Sequence, residues 1–157
     1  MIKLAAFDLD GTLIDSLADL ADSANHALRD LGFPDHDVNE YRYFVGSGVD
    51  QLFKRALPAE NSDTKTVAKV RAVFERYYNQ GYCNQTRPYE SVNILLKELE
   101  ERHYKLAVLS NKPDSFVRHI LETLFPETGF DYILGASDEL PKKPAPDGLL
   151  SCLKELH

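Results

Sequence analysis

The chain has 157 residues, of which 43% are hydrophobic and 27% charged, and its 25 acidic and 18 basic residues leave a formal net charge of −7. This balance is that of a folded globular protein with one core and room for an insertion, and it excludes a disordered or low-complexity chain. The negative charge argues against nucleic-acid binding, which needs basic surface. No apolar run approaches the roughly 20 residues of a membrane span.

In chain order, Ile2 to Phe7 is a nearly continuous apolar run, the pattern of a strand buried on both faces of a parallel sheet. After Asp15 and Ser16, the residues Leu17, Leu20, Ala21, Ala24, Leu28 and Leu31 recur with helical spacing, and Gly32 is a natural stop. Two shorter helical pieces are expected over Val38 to Val45 and Val49 to Leu57, separated by Gly46-Ser47-Gly48. A longer helix is expected from about Thr64 to Tyr78. Asn84 to Pro88 reads as a linker. A helix carrying Val92, Leu95, Leu96 and Leu99 then feeds a second apolar strand, Lys105 to Leu109. Pro113 suits the first turn of the next helix, whose apolar side holds Phe116, Val117, Ile120, Leu121 and Leu124. A third strand over Tyr132 to Ala136 precedes a last helix that starts near Pro146 and still runs at His157.

Residues 1–15 and 84–157 therefore alternate strand and helix, which predicts an α/β fold with a doubly wound, Rossmann-like parallel sheet. Residues 16–83 form an all-helical insertion. The N-terminus reaches Asp8 before a signal-peptide core could form, and Cys83 and Cys152 are far apart and make no metal-ligand pair. Both features suit a reducing, cytoplasmic setting.

The first strand ends Phe7-Asp8-Leu9-Asp10-Gly11-Thr12-Leu13. Ligands of open α/β sheets bind at the carboxyl ends of strands, and two acids two residues apart can face one pocket. A divalent cation would offset the cost of placing Asp8 at the edge of a buried layer, and Mg²⁺ prefers such oxygen ligands. One carboxylate of such a pair can attack phosphorus while the other transfers protons. Gly11 lets the backbone turn close to a phosphate, and Thr12 adds a hydroxyl and an N–H. The alternative is that both acids only cap a turn. The second strand ends Leu109-Ser110-Asn111-Lys112-Pro113, where a hydroxyl before a helix start either binds an anion or caps the helix. Beyond the third strand, prolines stiffen the backbone around Lys143, whose charge could balance a nucleophile and a phosphate, although adjacent lysines are commonly just solvated.

Together these strings resemble the motifs of the haloacid dehalogenase (HAD) superfamily, and the S-N-K-P run is similar to its phosphoglycolate phosphatase branch. The resemblance implies a Mg²⁺-dependent phosphatase acting on a small phosphorylated metabolite, with 2-phosphoglycolate favoured. It implies Asp8 as nucleophile, Asp10 as general acid/base, both as metal ligands, and Lys143 rather than Lys142 as the charge-balancing group. Gly11, Thr12, Ser110, Asn111 and Lys112 become substrate-binding candidates. The insertion becomes a helical cap, with Phe44-Val45-Gly46-Ser47-Gly48 resembling its loop facing the site and Arg87-Pro88-Tyr89 its hinge. The family often has glycine where this chain has Glu90 or Ser91.

The same resemblance implies a further acidic motif after a fourth strand, and none follows Lys143 here. Asp138 and Asp147 are misplaced to substitute for it. The core is thus expected to be incomplete at the C-terminus, with weak Mg²⁺ binding and self-association through an exposed edge of the first strand. Competing readings are a related phosphomutase or pyrophosphatase, against the first of which Thr12 argues, and a non-catalytic HAD fragment acting in protein interaction.

Overall fold

The computed structural model describes residues 3–156. Ile2, expected to open the first strand, and His157, expected within the last helix, lie outside the described residues. The chain divides into two compact units, Met1–Asp15 with Arg87–His157, and Ser16–Thr86.

The first unit is built on a three-stranded parallel sheet. Strand β1 (Leu4–Phe7) pairs with β4 (Lys105–Pro113), which pairs in turn with β5 (Tyr132–Ala136), giving the order β1-β4-β5. Leu106, Ala107 and Val108 are fully buried at the centre of β4, as a strand covered on both faces requires. Helices α5 (Val92–Glu101) and α6 (Asp114–Leu124) pack against β4, burying Val92 and Leu96, and Val117, Ile120 and Leu121. Helix α7 (Asp147–Glu155) also packs against β4 and buries Cys152. It ends at Glu155 rather than running on, and the N–H of Leu156 closes it onto the Cys152 carbonyl at 3.1 Å.

Strand β4 is longer than expected, and its far end is irregular. Leu109 pairs with Leu134 and Pro113 with Ala136, so four steps along β4 match only two along β5. Residues 110–112 consequently bulge from the carboxyl end of the sheet, the way bulges re-aim side chains beside sites. Pro113 is extended (φ −52°, ψ 137°) and precedes α6 instead of lying in its first turn. Asp114 then ties α6 to the sheet. Partial burial pushes its carboxyl up, but the Gly135 N–H (2.8 Å) and the Arg118 guanidinium outweigh this and hold it below the usual carboxylate range.

Asn84–Pro88 is more than a linker. Arg87–Pro88 forms a short strand, β3, antiparallel to β2 (Ile14–Asp15), with Ile14 fully buried. Two residues per strand carry too little pattern for this ribbon to be read from sequence.

The second unit is helical. Helix α1 (Leu17–Asp30) packs against α4 (Thr64–Gly81), and the shorter α2 (Tyr41–Phe44) and α3 (Val49–Ala56) complete a core containing Leu28, Tyr41, Phe53 and Val70. Gly32, at φ +77°, stops α1. Its N–H reaches the Arg29 carbonyl and that of Phe33 reaches the Leu28 carbonyl, the paired bonds of a Schellman ending. The one-turn α2 follows a 3₁₀ turn over Val38–Glu40 that is capped reciprocally by Asp37 and Glu40. The buried Asp19 carboxylate accepts the Gln85 and Thr86 N–H groups and the Thr86 hydroxyl at 2.7–2.9 Å, which offsets the cost of its burial. Among the described residues no helix is long and apolar enough to cross a membrane.

Two backbone positions give opposite expectations. Ser91 precedes α5 at φ +74°, a left-handed conformation that disfavours side chains. A Cβ on Gly135 would lie 2.3 Å from Asp114 Cα. In urea denaturation, Ser91→Gly is expected to stabilise by about 0.5–1 kcal/mol, and Gly135→Ala to destabilise by about 3 kcal/mol. A Gly135→Ala protein as stable as the parent would contradict the close approach of α6 to β5.

Candidate functional site

The loop after β1 turns on Leu9, which is fully buried and whose carbonyl accepts the N–H groups of Thr12, Leu13 and Ile14 at 2.9–3.2 Å. Gly11, at φ +78°, supplies the left-handed residue this turn requires, and its own N–H reaches the Ile14 carbonyl at 2.9 Å. The N–H of Thr12, expected to be offered to a ligand, is thus committed inside the turn. Thr12 itself is exposed, so its hydroxyl is the group a ligand would meet.

On this loop, Asp8 and Asp10 each meet a lysine from a different segment. Asp8 Oδ1 lies 2.8 Å from Lys143 Nζ and also accepts the Leu9 N–H at 2.8 Å. The other oxygen, Oδ2, receives no hydrogen bond from any described residue. This pair is half open, with side-chain exposures of 44% for Asp8 and 37% for Lys143. Asp10 Oδ1 lies 2.8 Å from Lys112 Nζ, and here the ammonium is enclosed, with a side-chain exposure of 5%.

The bulge after Leu109 organises the rest. Lys143 Nζ donates to the Leu109 carbonyl at 2.6 Å. Ser110 is buried and its hydroxyl accepts the Lys112 N–H at 3.1 Å, holding the bulge in a tight turn. Asn111 clasps the backbone of Lys143, accepting its N–H at 2.8 Å and donating to its carbonyl at 3.0 Å. The Lys143–Pro144 peptide is cis. Lys142 is exposed.

The structure therefore gathers Asp8, Asp10, Ser110, Asn111, Lys112 and Lys143 at the carboxyl end of the parallel strands. Sequence reasoning named all of them but missed two connections, the Asn111–Lys143 clasp and the Lys112–Asp10 pair. The second joins residues 102 positions apart, and no local signal announces it.

Asp8 and Asp10 fit Mg²⁺ in kind. It takes hard oxygen donors, commonly one or two carboxylates, and completes its shell with water and phosphate oxygens. Among the described residues there is no cluster of three or more His, Cys, Asp or Glu that would cage a metal with side chains alone. A cation on these carboxylates would share them with the two ammonium groups.

The chain is similar to known proteins along most of its length. Residues 5–157 match the model of the haloacid dehalogenase-like hydrolases. A phosphoglycolate phosphatase of Vibrio vulnificus is 40% identical over 162 residues, covering 99% of this chain and 70% of the relative. One from Aliivibrio fischeri is 35% identical over 153 residues, covering 94% of this chain and 67% of the relative. Among solved structures, a predicted phosphoglycolate phosphatase from Haemophilus somnus superposes with a TM-score of 0.88 at 34% identity, over 98% of this chain and 71% of that one. A haloacid dehalogenase-like hydrolase from Streptococcus pneumoniae gives 0.85 at 26% identity, over 98% and 69%.

Removing the clasp tests its weight. Asn111→Ala leaves the N–H and carbonyl of Lys143 without their side-chain partner, and chemical denaturation is expected to show a loss of about 1–3 kcal/mol. A loss below about 0.5 kcal/mol, the range of an ordinary surface change, would show that the Lys143 segment is held by other contacts.

Proposed function

The chain belongs to the haloacid dehalogenase-like hydrolase family, whose phosphatases generally use Mg²⁺, and from that premise we propose that it hydrolyses a small phosphomonoester, with 2-phosphoglycolate the favoured substrate, through an aspartyl-phosphate. The observation that carries this reading is Asp8. Its Oδ1 is held by Lys143 and the Leu9 N–H while Oδ2 stays open, at the carboxyl end of a parallel strand. The names of the relatives support the choice of substrate.

In this mechanism Asp8 Oδ2 attacks phosphorus, forming the Asp8–phosphorus bond as the bond to the leaving oxygen breaks. Asp10 gives its proton to that oxygen, releasing the alcohol. Asp10 then takes a proton from water as the water attacks phosphorus, freeing Asp8 and orthophosphate. Lys143, fixed by the Asn111 clasp and the Leu109 carbonyl, offers a preorganised positive charge to the phosphoryl oxygens. The hydroxyls of Ser110 and Thr12 are proposed to bind those oxygens, and Gly11 to let the backbone come close. Bound to Asp8 and Asp10, Mg²⁺ would neutralise charge and polarise the phosphoryl group. The helical unit, Ser16–Thr86, is proposed to act as the cap that selects the substrate.

The test is phosphate release from 2-phosphoglycolate with and without Mg²⁺. The expected result is release that requires Mg²⁺ and falls by at least about a thousandfold in Asp8→Asn, the scale of losing a covalent nucleophile. Release that survives Asp8→Asn would overturn the nucleophile. Release from other phosphomonoesters or pyrophosphate, but not from 2-phosphoglycolate, would overturn the substrate.

A further inference from the structure

Lys112 is a substrate-binding candidate from the sequence, and its surroundings point to another role. Its side chain is 5% exposed and its ammonium lies 2.8 Å from Asp10 Oδ1. An ammonium this enclosed loses much by leaving its counter-ion, because neither group regains full hydration. Lys143 is the more open of the two lysines, at 37%, and it stands beside the carboxylate whose second oxygen is open.

The backbone around Lys112 is also fixed. Its N–H is bound by Ser110 Oγ within the bulge of β4, and Pro113 behind it is paired with Ala136. The turn carrying Asp10 is closed by the three bonds to the Leu9 carbonyl. With both backbones held, the ammonium restrains where the Asp10 carboxylate points.

We propose that Lys112 is a positioning residue, which orients the Asp10 carboxylate for proton transfer and does not anchor the substrate phosphate. This rests on the phosphatase reading above. A misaimed proton donor slows the chemical step and leaves ground-state binding intact, so the two roles separate in kinetics.

The experiment compares Lys112→Met, Lys112→Arg and Lys143→Met with the parent, measuring kcat, KM and the affinity for inorganic phosphate by calorimetry. For Lys112→Met, kcat is expected to fall by about 10- to 100-fold, the range of a misplaced acid/base. KM and the phosphate Kd are expected to stay within about twofold. Lys112→Arg is expected to recover part of kcat, and Lys143→Met to weaken phosphate binding by about tenfold, one missing charge-assisted contact. A tenfold rise in KM and phosphate Kd for Lys112→Met with kcat unchanged would overturn the proposal, as would no change in any of the three. Should Lys112→Met fail to fold, Lys112→Arg is read alone, where lowered kcat at unchanged phosphate Kd supports the proposal and weakened phosphate binding overturns it. A folded parent that binds phosphate and hydrolyses no phosphomonoester overturns the proposed function. The proton-transfer role of Lys112 falls with it, and the claim that Lys112 does not anchor phosphate is then decided by whether Lys112→Met or Lys143→Met loses phosphate affinity.

Discussion

Two carboxylates leaving one strand two residues apart repel each other, and a partly dry site at the end of a sheet amplifies that repulsion. The fold answers by bringing one lysine to each, Lys143 to Asp8 and Lys112 to Asp10, from two separate stretches of chain. Much of the first unit's detail serves to deliver these two ammonium groups. The mismatch between β4 and β5 throws residues 110–112 outward and carries Lys112 to Asp10. Asn111, on the same bulge, grips the backbone of Lys143 and so couples the second lysine to the first. Gly135 belongs to this arrangement as well, since any side chain there would collide with Asp114 and the Lys112 carbonyl.

The two pairs are not equivalent, and the difference is chemically useful. The Asp8–Lys143 pair is open to solvent, as suits the nucleophile proposed above, and it leaves one carboxylate oxygen unengaged. The Asp10–Lys112 pair is enclosed on the lysine side. Open pairs exchange partners readily, because water compensates either ion. An enclosed ammonium lacks that compensation and holds its partner in one orientation. In the proposed mechanism, one carboxylate is thereby kept available and the other aimed.

What could be read in the sequence follows from the range of each interaction. The strand before Asp8, the acid pair, the hydroxyl of Ser110 and the proline-flanked Lys143 are all local patterns, and the parallel sheet follows from alternating apolar runs. Lys143 could be preferred over Lys142 from its neighbours, and the structure leaves Lys142 exposed. The Lys112–Asp10 pair and the Asn111 clasp depend on how β4 slips against β5, which no residue type encodes alone. The N–H of Thr12 looked available because the sequence does not reveal that the Leu9 carbonyl accepts three donors. Ser91 has a left-handed backbone imposed by the turn into α5, and there only the resemblance, with its glycine near Glu90 or Ser91, carried a signal that the residue itself does not.

The helical insertion raises a separate constraint, because a long excursion between β1 and α5 could disturb the turn that carries both acids. Three features localise its effect. The ribbon of β2 and β3 pairs Asp15 with Arg87, so the chain leaves the first unit and returns to it through adjacent residues. Inside the insertion, Asp19 binds the Gln85 and Thr86 N–H groups, securing the returning segment before it reaches the ribbon. The Leu13 carbonyl, immediately before the ribbon, accepts the Tyr89 N–H and closes the junction from the other side. Every contact among the two acids, their lysines and the Asn111 clasp lies within the first unit. The charges that the proposed chemistry uses are thus paired by side chains that belong to the first unit's own sequence.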